Sequence, residues 1–405
     1  MKICILSAFE DSLLKDSGPS VRIYYLAKSL ASLGHDVHVV IPKYESTCEY
    51  VDGMIVHSVS GFCPKIILRI LSRLLGVSRV TSLFFYDLLF ILRVSRLIRE
   101  FDVVQIEQQT AGGLIAPIVA GVLRKPLIID CHDTFQGLRV KHTSLFRRIL
   151  ETFLEKITYK YADLILTVSQ REKELLMSYR IKQDNIEVIP NGVDSEAFNP
   201  LLDVTRVQDH YGLGNFCTVI FVGNIGYLPN QEAVQLIASE IAPKVQKVIE
   251  NTKFLIVGRT PTKMDLPNLI FTGVVENVAE LLAASDVAIA PLLHGSGTRL
   301  KILEYFSCGL PVVSTTVGIE GLDVKSGVHA LIEDNMDEFA IKVTKLLKDR
   351  AFAIRLGKAA RELVVNNYDW KKIVSRLNMI HRNLLMRSFL AKRGESDRNT
   401  FGQDA

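Results

Sequence analysis

The stretch VAIAPLLHGSGTRLKILEY, residues 287–305, joins a short apolar run to a helical pattern through a turn that carries Gly295 and Gly297. Four apolar residues of this kind suit a buried strand, and the pattern after the turn predicts a helix that stops at Gly309. Strand, glycine turn and helix in that order form one step of a doubly wound sheet. Glycines in the turn let backbone N–H groups approach an anion, and the helix start adds partial positive charge. Ser296, Gly297 and Thr298 line this turn, and Arg299 and Lys301 place full charges beside it, the arginine suited to bidentate phosphate contact. Glu304 lies three residues after Lys301, so both project from one side of the helix. A cation for phosphates and a carboxylate for ribose hydroxyls are what a nucleoside diphosphate requires. On spacing alone a plainer reading stays open: an ordinary turn with a solvated Lys–Glu pair.

The same rhythm extends outward in both directions. Apolar runs fit buried strands at 3–6, 37–41, 103–106, 127–130, 164–168 and 188–189, and again at 219–222, 254–257, 269–271, 287–290 and 312–314. Helical patterns lie between most of them. One spans Val21–Leu33 and ends at Gly34, and another opens on the capping box Ser169-Gln170-Arg171-Glu172. The rhythm breaks over the polar stretch 195–214, which predicts an α/β protein of two Rossmann-like domains: 1–195 and 215–367, with a closing helix at about 368–390 and a frayed polar tail at 393–405.

Composition narrows the function. At 405 residues the chain exceeds one ordinary domain, and 48% hydrophobic with 23% charged residues excludes a disordered protein. A net charge of +4 does not suggest a nucleic-acid binder, and none is expected as a partner. Six scattered cysteines form no CxxC pair and no metal-ligand spacing, the usage of reduced cytosolic thiols. The apolar run at residues 3–6 is too short for a signal peptide. The greasiest stretch, 83–92, is interrupted by Asp87 and falls short of the ~20 residues a spanning helix needs, so a cytoplasmic location is expected.

Two further segments carry candidate chemistry. Ser17-Gly18-Pro19-Ser20 separates the first strand from the first helix, where amides near Gly18 would meet a phosphate or sugar, or simply form a turn. Cys131-His132-Asp133-Thr134 follows the run 127–130, at the edge where open α/β sheets bind ligands. His132 there would donate to a sugar hydroxyl or departing phosphate, with Asp133 orienting it or holding an acceptor; packing and capping explain the pair equally well.

Taken in order, Gly18, GHDVHVV at 34–40, HD at 132–133, ADLILTVSQ at 162–170, VIPNGVD at 188–194, FVGNIGYLPN at 221–230, GSGTRLKILEYFSCGLPVVST at 295–315 and YDW at 368–370 resemble the group 1, family 4 glycosyltransferases over about residues 1–385. The resemblance implies the GT-B architecture, two Rossmann-like domains facing each other across a cleft, and a last helix that returns to the first domain. It implies a nucleotide-diphosphate sugar (UDP or GDP) as substrate, no metal and no resident cofactor, retention of anomeric configuration, and a glycan or lipid-linked acceptor in cell-surface polysaccharide or glycoconjugate synthesis. Lys301 matches the family's phosphate-binding cation and Glu304 its ribose-binding glutamate. The family's first glutamate falls at Ser296, the basic residue after FVG at Asn224, and a lysine near Asn230, which leaves Arg299 as substitute cation and Val275 as a contact for the base. The front-face mechanism proposed for the family then has Lys301, Arg299 and helix-end amides stabilise the departing phosphate. Two other expectations stand beside it: a sugar-nucleotide 2-epimerase of the same fold, and a catalytically silent nucleotide-binding subunit.

Residues 62–99 hold seven Lys/Arg against Asp87. Lys65, Arg69 and Arg73 recur every four residues among isoleucines and leucines, which suits peripheral contact with an anionic membrane surface, at ~1 kcal/mol per basic residue. Ordinary domain helices with solvated basic faces would read the same way.

Overall fold

In the computed structural model the described residues are 1–7, 13, 18–43, 46–60, 95, 97–108, 125–132, 145–160, 162–260, 269–295 and 298–401. The chain divides into two compact units, Met1–Pro190 with Ile373–Ala405, and Asn191–Lys372.

Unit 1 is built on an eight-stranded sheet. Its strands are β1 (Lys2–Leu6), β2 (Asp36–Lys43), β3 (Thr47–Val51), β4 (Met54–Ser60), β5 (Val103–Gln108), β6 (Leu127–Cys131), β7 (Leu164–Thr167) and β8 (Ile186–Val188), in spatial order β3-β4-β2-β1-β5-β6-β7-β8. Every pairing is parallel except β3 with β4. Strands β1, β6 and β7 are short and apolar because they are buried along almost their whole length. The strand order reverses at β1, which pairs with both β2 and β5, and ligands of such sheets bind beside that reversal, at the carboxyl ends. The β3–β4 hairpin has no counterpart among the expected strands. Its turn, Asp52-Gly53, has φ of 48° and 87°, the paired positive values that a two-residue hairpin turn needs.

Unit 2 carries a second, wholly parallel sheet of β9 (Cys217–Val222), β10 (Thr252–Val257), β11 (Leu269–Gly273), β12 (Val287–Ala290), β13 (Val312–Ser314) and β14 (Leu331–Ile332), in order β11-β10-β9-β12-β13-β14. Alternate residues of each strand enter different cores. Val219, Phe221, Phe254, Ile256, Val287 and Ile289 pack into one. Ile220, Leu255, Val257, Ala288 and Ala290 pack into the other, with Ile302, Leu303 and Phe306 of the helix Leu300–Ser307. Burial on both faces explains why these strands read as unbroken apolar runs.

The polar stretch after residue 195 packs within unit 2. Ser307 Oγ donates to the Phe198 carbonyl (2.6 Å), Arg361 Nη1 donates to the same oxygen (3.2 Å), and residues 205–211 form a helix. The unit's two ends are stitched together: Val193 N–H donates to the Tyr368 carbonyl (2.9 Å) and Trp370 N–H to the Val193 carbonyl (3.2 Å). The last helix, Trp370–Phe401, lies in unit 1 from Ile373 onward. It continues past residue 392, where polarity predicts fraying, through a segment with no proline and one glycine, Gly394. No helix among the described residues is long and apolar enough to cross a membrane. Five cysteines, Cys4, Cys48, Cys131, Cys217 and Cys308, are free thiols.

Candidate active site

In unit 2 the strand order reverses between β9 and β12, and the segments that leave their carboxyl ends are Gly223–Asn230 and Pro291–Leu300. The helix Leu300–Ser307 is anchored there by its apolar face and by Tyr305, whose hydroxyl accepts the Val222 N–H at the end of β9 (2.8 Å). Lys301 and Glu304 stay half-buried on the opposite side.

The Lys301 ammonium lies 4.2 Å from the centre of the Phe221 ring and donates to Asn230 Oδ1 (2.8 Å), a neutral acceptor; it makes no ion pair among the described residues. Asn230 in turn donates through Nδ2 to the Asn224 carbonyl (2.9 Å), while the Asn224 side chain accepts the Gly226 N–H (3.0 Å). Asn224 is thus linked to the lysine only by way of Asn230, through its backbone carbonyl, its side chain being occupied by its own turn. Gly223 leaves room for this group: a Cβ there would lie 2.9 Å from both Lys301 Nζ and the Asn230 amide. Arg299 folds over Gly295, whose φ is +141° and whose added Cβ would sit 2.5 Å from Arg299 Nη2. Thr298 Oγ1 is buried and hydrogen-bonds nothing among the described residues.

Burial and the neighbouring Arg299 charge pull the Lys301 pKa down to about 7, against the opposing pull of Glu304. Burial pushes Glu304 up to about 7, held back by Lys301. Two cations beside one carboxylate leave this corner short of negative charge, and an anion would relieve it.

Val275 follows β11 and lines a cavity of about 260 Å³ with Arg206, His210, Tyr211, Glu276 and Glu280. Ser296 and Gly297 lie outside the described residues, as do Asp133 and nearly all of 62–99.

In unit 1, His132 directly follows β6 and is 6% exposed. Its Nε2 is 2.7 Å from Glu107 Oε2, on neighbouring β5. Gln105, two residues earlier and on the same face of β5, donates to Glu107 Oε1 (2.8 Å). Beside them Arg22, fully buried on the first helix, donates through Nε and Nη2 to the two oxygens of Asp130 (2.8 and 2.9 Å) and through Nη1 to the Pro190 carbonyl (3.0 Å). Gly18 opens that helix, Gly18–Ser32. Glu107, Asp130 and His132 approach closely enough to hold a metal ion. The chemistry of the set does not fit one, because both oxygens of Asp130 already answer a guanidinium that would repel a cation.

The structure therefore gathers Lys301, Arg299, Thr298, Glu304 and Asn224 around one helix start in unit 2, and places His132 and Gly18 in unit 1. Glu107 is an addition, and Asn230, which stands near the family's lysine position, is found to accept from Lys301. Glu107 lies in the alternating run VVQIEQ of β5, where its period-two spacing from Gln105 marks a polar face.

Comparison with known proteins follows this division. Residues 17–197 match the family model Glycosyltransferase Family 4, and residues 217–349 match Glycosyl transferases group 1. The chain is 25% identical over 375 residues to the Escherichia coli UDP-Gal:alpha-D-GlcNAc-diphosphoundecaprenol alpha-1,3-galactosyltransferase, covering 87% of this chain and 90% of that one. It is 27% identical over 369 residues to the GDP-mannose-dependent alpha-(1-6)-phosphatidylinositol monomannoside mannosyltransferase of Mycolicibacterium smegmatis, covering 85% and 89%. Among solved structures, sucrose-phosphate synthase from Thermosynechococcus elongatus superposes with a TM-score of 0.74 at 18% identity, over 96% of this chain and 100% of that one. Anabaena HepE in complex with UDP gives 0.70 at 15%, over 95% and 100%. These likenesses show the fold, the GT-B architecture of two Rossmann-like domains. Matched along both halves, the chain belongs to the group 1 glycosyltransferases, with a Glycosyltransferase Family 4 amino-terminal half.

Proposed function

We propose that this glycosyltransferase moves a sugar from a uridine or guanosine diphosphate donor to a glycan or lipid-linked acceptor in cell-surface polysaccharide or glycoconjugate synthesis. The observation that carries the reading is the Lys301 ammonium, held by the neutral Asn230 amide beside Arg299 and the unpartnered Thr298 hydroxyl at a helix start. In this reading Lys301 and Arg299 bind the diphosphate, with Thr298, Ser296 and Gly297 at the same turn. Glu304 binds the ribose, Val275 the base, and the backbone near Asn224 and Gly18 the remaining donor oxygens. His132 and Asp133 serve the sugar or acceptor hydroxyls. Relatives that use UDP-galactose and GDP-mannose on lipid-linked acceptors support the donor and acceptor classes.

The transfer proceeds with retention and without a metal or resident cofactor. The bond from the anomeric carbon to the phosphate oxygen breaks, and its electron pair leaves with the nucleotide. The acceptor oxygen bonds to that carbon on the same face, and its proton passes to the departing phosphate. Lys301 and Arg299 stabilise the charge that develops on the phosphate. Residues 62–99 bring the chain to an anionic, cytoplasmic membrane face.

A panel of UDP- and GDP-sugars tests the proposal, with nucleotide release followed in the presence of chelator. Release from one donor that survives chelation and falls by about 10²–10³ in Lys301→Ala is the expected result. Release that requires an added divalent ion, or none from any donor by a folded protein, contradicts it.

A further inference from the structure

Between Trp370 and Gly394 the sequence carries seven Lys/Arg and no Asp or Glu. The last helix turns Ile373, Val374, Leu377 and His381 inward, all of them buried in unit 1. Its opposite side is not simply polar, as that of an ordinary surface helix would be. Met379, Met386, Phe389 and Leu390 are 59–64% exposed there. Met379, Met386 and Leu390 follow one another at helical spacings of seven and four, and Arg382 and Phe389 form a second line beside them. Arg382 and Arg387 are exposed and make no ion pair among the described residues, whereas Lys371 and Arg376, nearer the helix start, pair with Glu196 and Glu187. Single exposed apolar side chains, such as Tyr50, Leu201 and Ile354, are ordinary; four within twelve residues of one helix mark a contact surface.

We propose that the outward side of the last helix, residues 379–390, lies on an anionic bilayer surface. Its Met, Phe and Leu side chains enter the acyl boundary, and Arg382 and Arg387 meet lipid phosphates. Charge and shape select this occupant. A second copy of the chain would bring like charges face to face. A nucleic acid would use the arginines and leave the apolar side chains in water. A protein with an acidic groove would have to surround the helix, whose inner side is already taken by unit 1. A flat anionic surface uses both kinds of side chain and needs only the open side. The contact is additional to that of residues 62–99 and independent of sugar transfer.

Co-sedimentation of the full chain with phosphatidylcholine vesicles, with and without phosphatidylglycerol, tests the proposal with no donor or acceptor present. The parent should partition onto the phosphatidylglycerol vesicles, more weakly at high salt, and far less onto phosphatidylcholine alone. Arg382→Gln with Arg387→Gln should weaken partitioning by about fivefold per arginine, roughly twenty-five-fold together. Met386→Ser with Leu390→Ser should weaken it by about tenfold or more. Both variants should melt as the parent does, because the replaced side chains are exposed. A third variant, with Lys65, Arg69 and Arg73 changed to Gln, separates the two membrane readings. Parent-like binding by this variant, with loss in the helix variants, supports the last helix and removes residues 62–99. Parent-like binding by both helix variants overturns the proposal, and so does a parent that ignores phosphatidylglycerol vesicles. A dimer in sedimentation velocity that Met386→Ser with Leu390→Ser dissociates, without vesicle binding, would instead give this side to a second copy.

Discussion

In unit 1 the Arg22 guanidinium is sealed from solvent and meets both oxygens of Asp130; in unit 2 the half-buried Lys301 ammonium meets a neutral amide. Both groups sit at the carboxyl edge of a parallel sheet, near the point where strand order reverses. The first is answered by its own protein, so its charge is structural. The second stands beside another cation, Arg299, with its pKa pulled down, as expected of a site completed by an anionic ligand. Position in the fold is common to both; what separates support from function is whether the chain supplies the counter-charge.

The comparison breaks most visibly in stability. Arg22→Met leaves Asp130 buried without its partner and should cost about 3–5 kcal/mol, read as a fall in the denaturant midpoint. An unchanged midpoint in Arg22→Met would mean that the pair with Asp130 does not support the fold.

A smaller effect sharpens the unit 2 side. In the free protein Lys301 gives up its proton near pH 7, because burial and Arg299 outweigh Glu304. A diphosphate bound as proposed would hold that proton on. Below pH 7 the ligand meets a lysine already charged, and above pH 7 binding must first take up a proton. Affinity should therefore fall as pH rises from 7 to 8.5, by up to about tenfold per pH unit. Affinity independent of pH over that window would mean that Lys301 is charged throughout. Smallest of all, Thr298→Val removes one neutral hydroxyl and should weaken nucleotide binding by about 0.5–1.5 kcal/mol in a titration, with an unchanged melting temperature. No change in affinity would place that hydroxyl outside the site.

Much of this was legible in the residues. Strands buried on both faces print as apolar runs, so the parallel core of each sheet could be read directly, and Ser169 does cap its helix, accepting the Glu172 N–H at 3.3 Å. The β3–β4 hairpin is harder to see because β3 is short and largely exposed, although Asp52-Gly53 is the turn signal that marks it. The helix start bearing Arg299 and Lys301 was readable because glycines, cations and a carboxylate are contiguous in sequence. Partners supplied from a distance were not: Asn230 lies 71 residues from Lys301, and Glu107 lies 25 from His132. Such pairs depend on strand order, which spacing along one chain does not encode.

Unit 2 holds a cation that meets a neutral amide, and a diphosphate is its proposed counter-charge. Isothermal titration of UDP and GDP into the parent and Lys301→Met, alongside the unfolding midpoint of each, tests it most directly. One nucleotide should bind the parent, binding should be lost in Lys301→Met, and the midpoint should hold or rise, since a half-buried cation without a counter-charge has been removed. Undiminished binding in Lys301→Met would contradict the account, and so would loss of binding that merely tracks a collapse in stability.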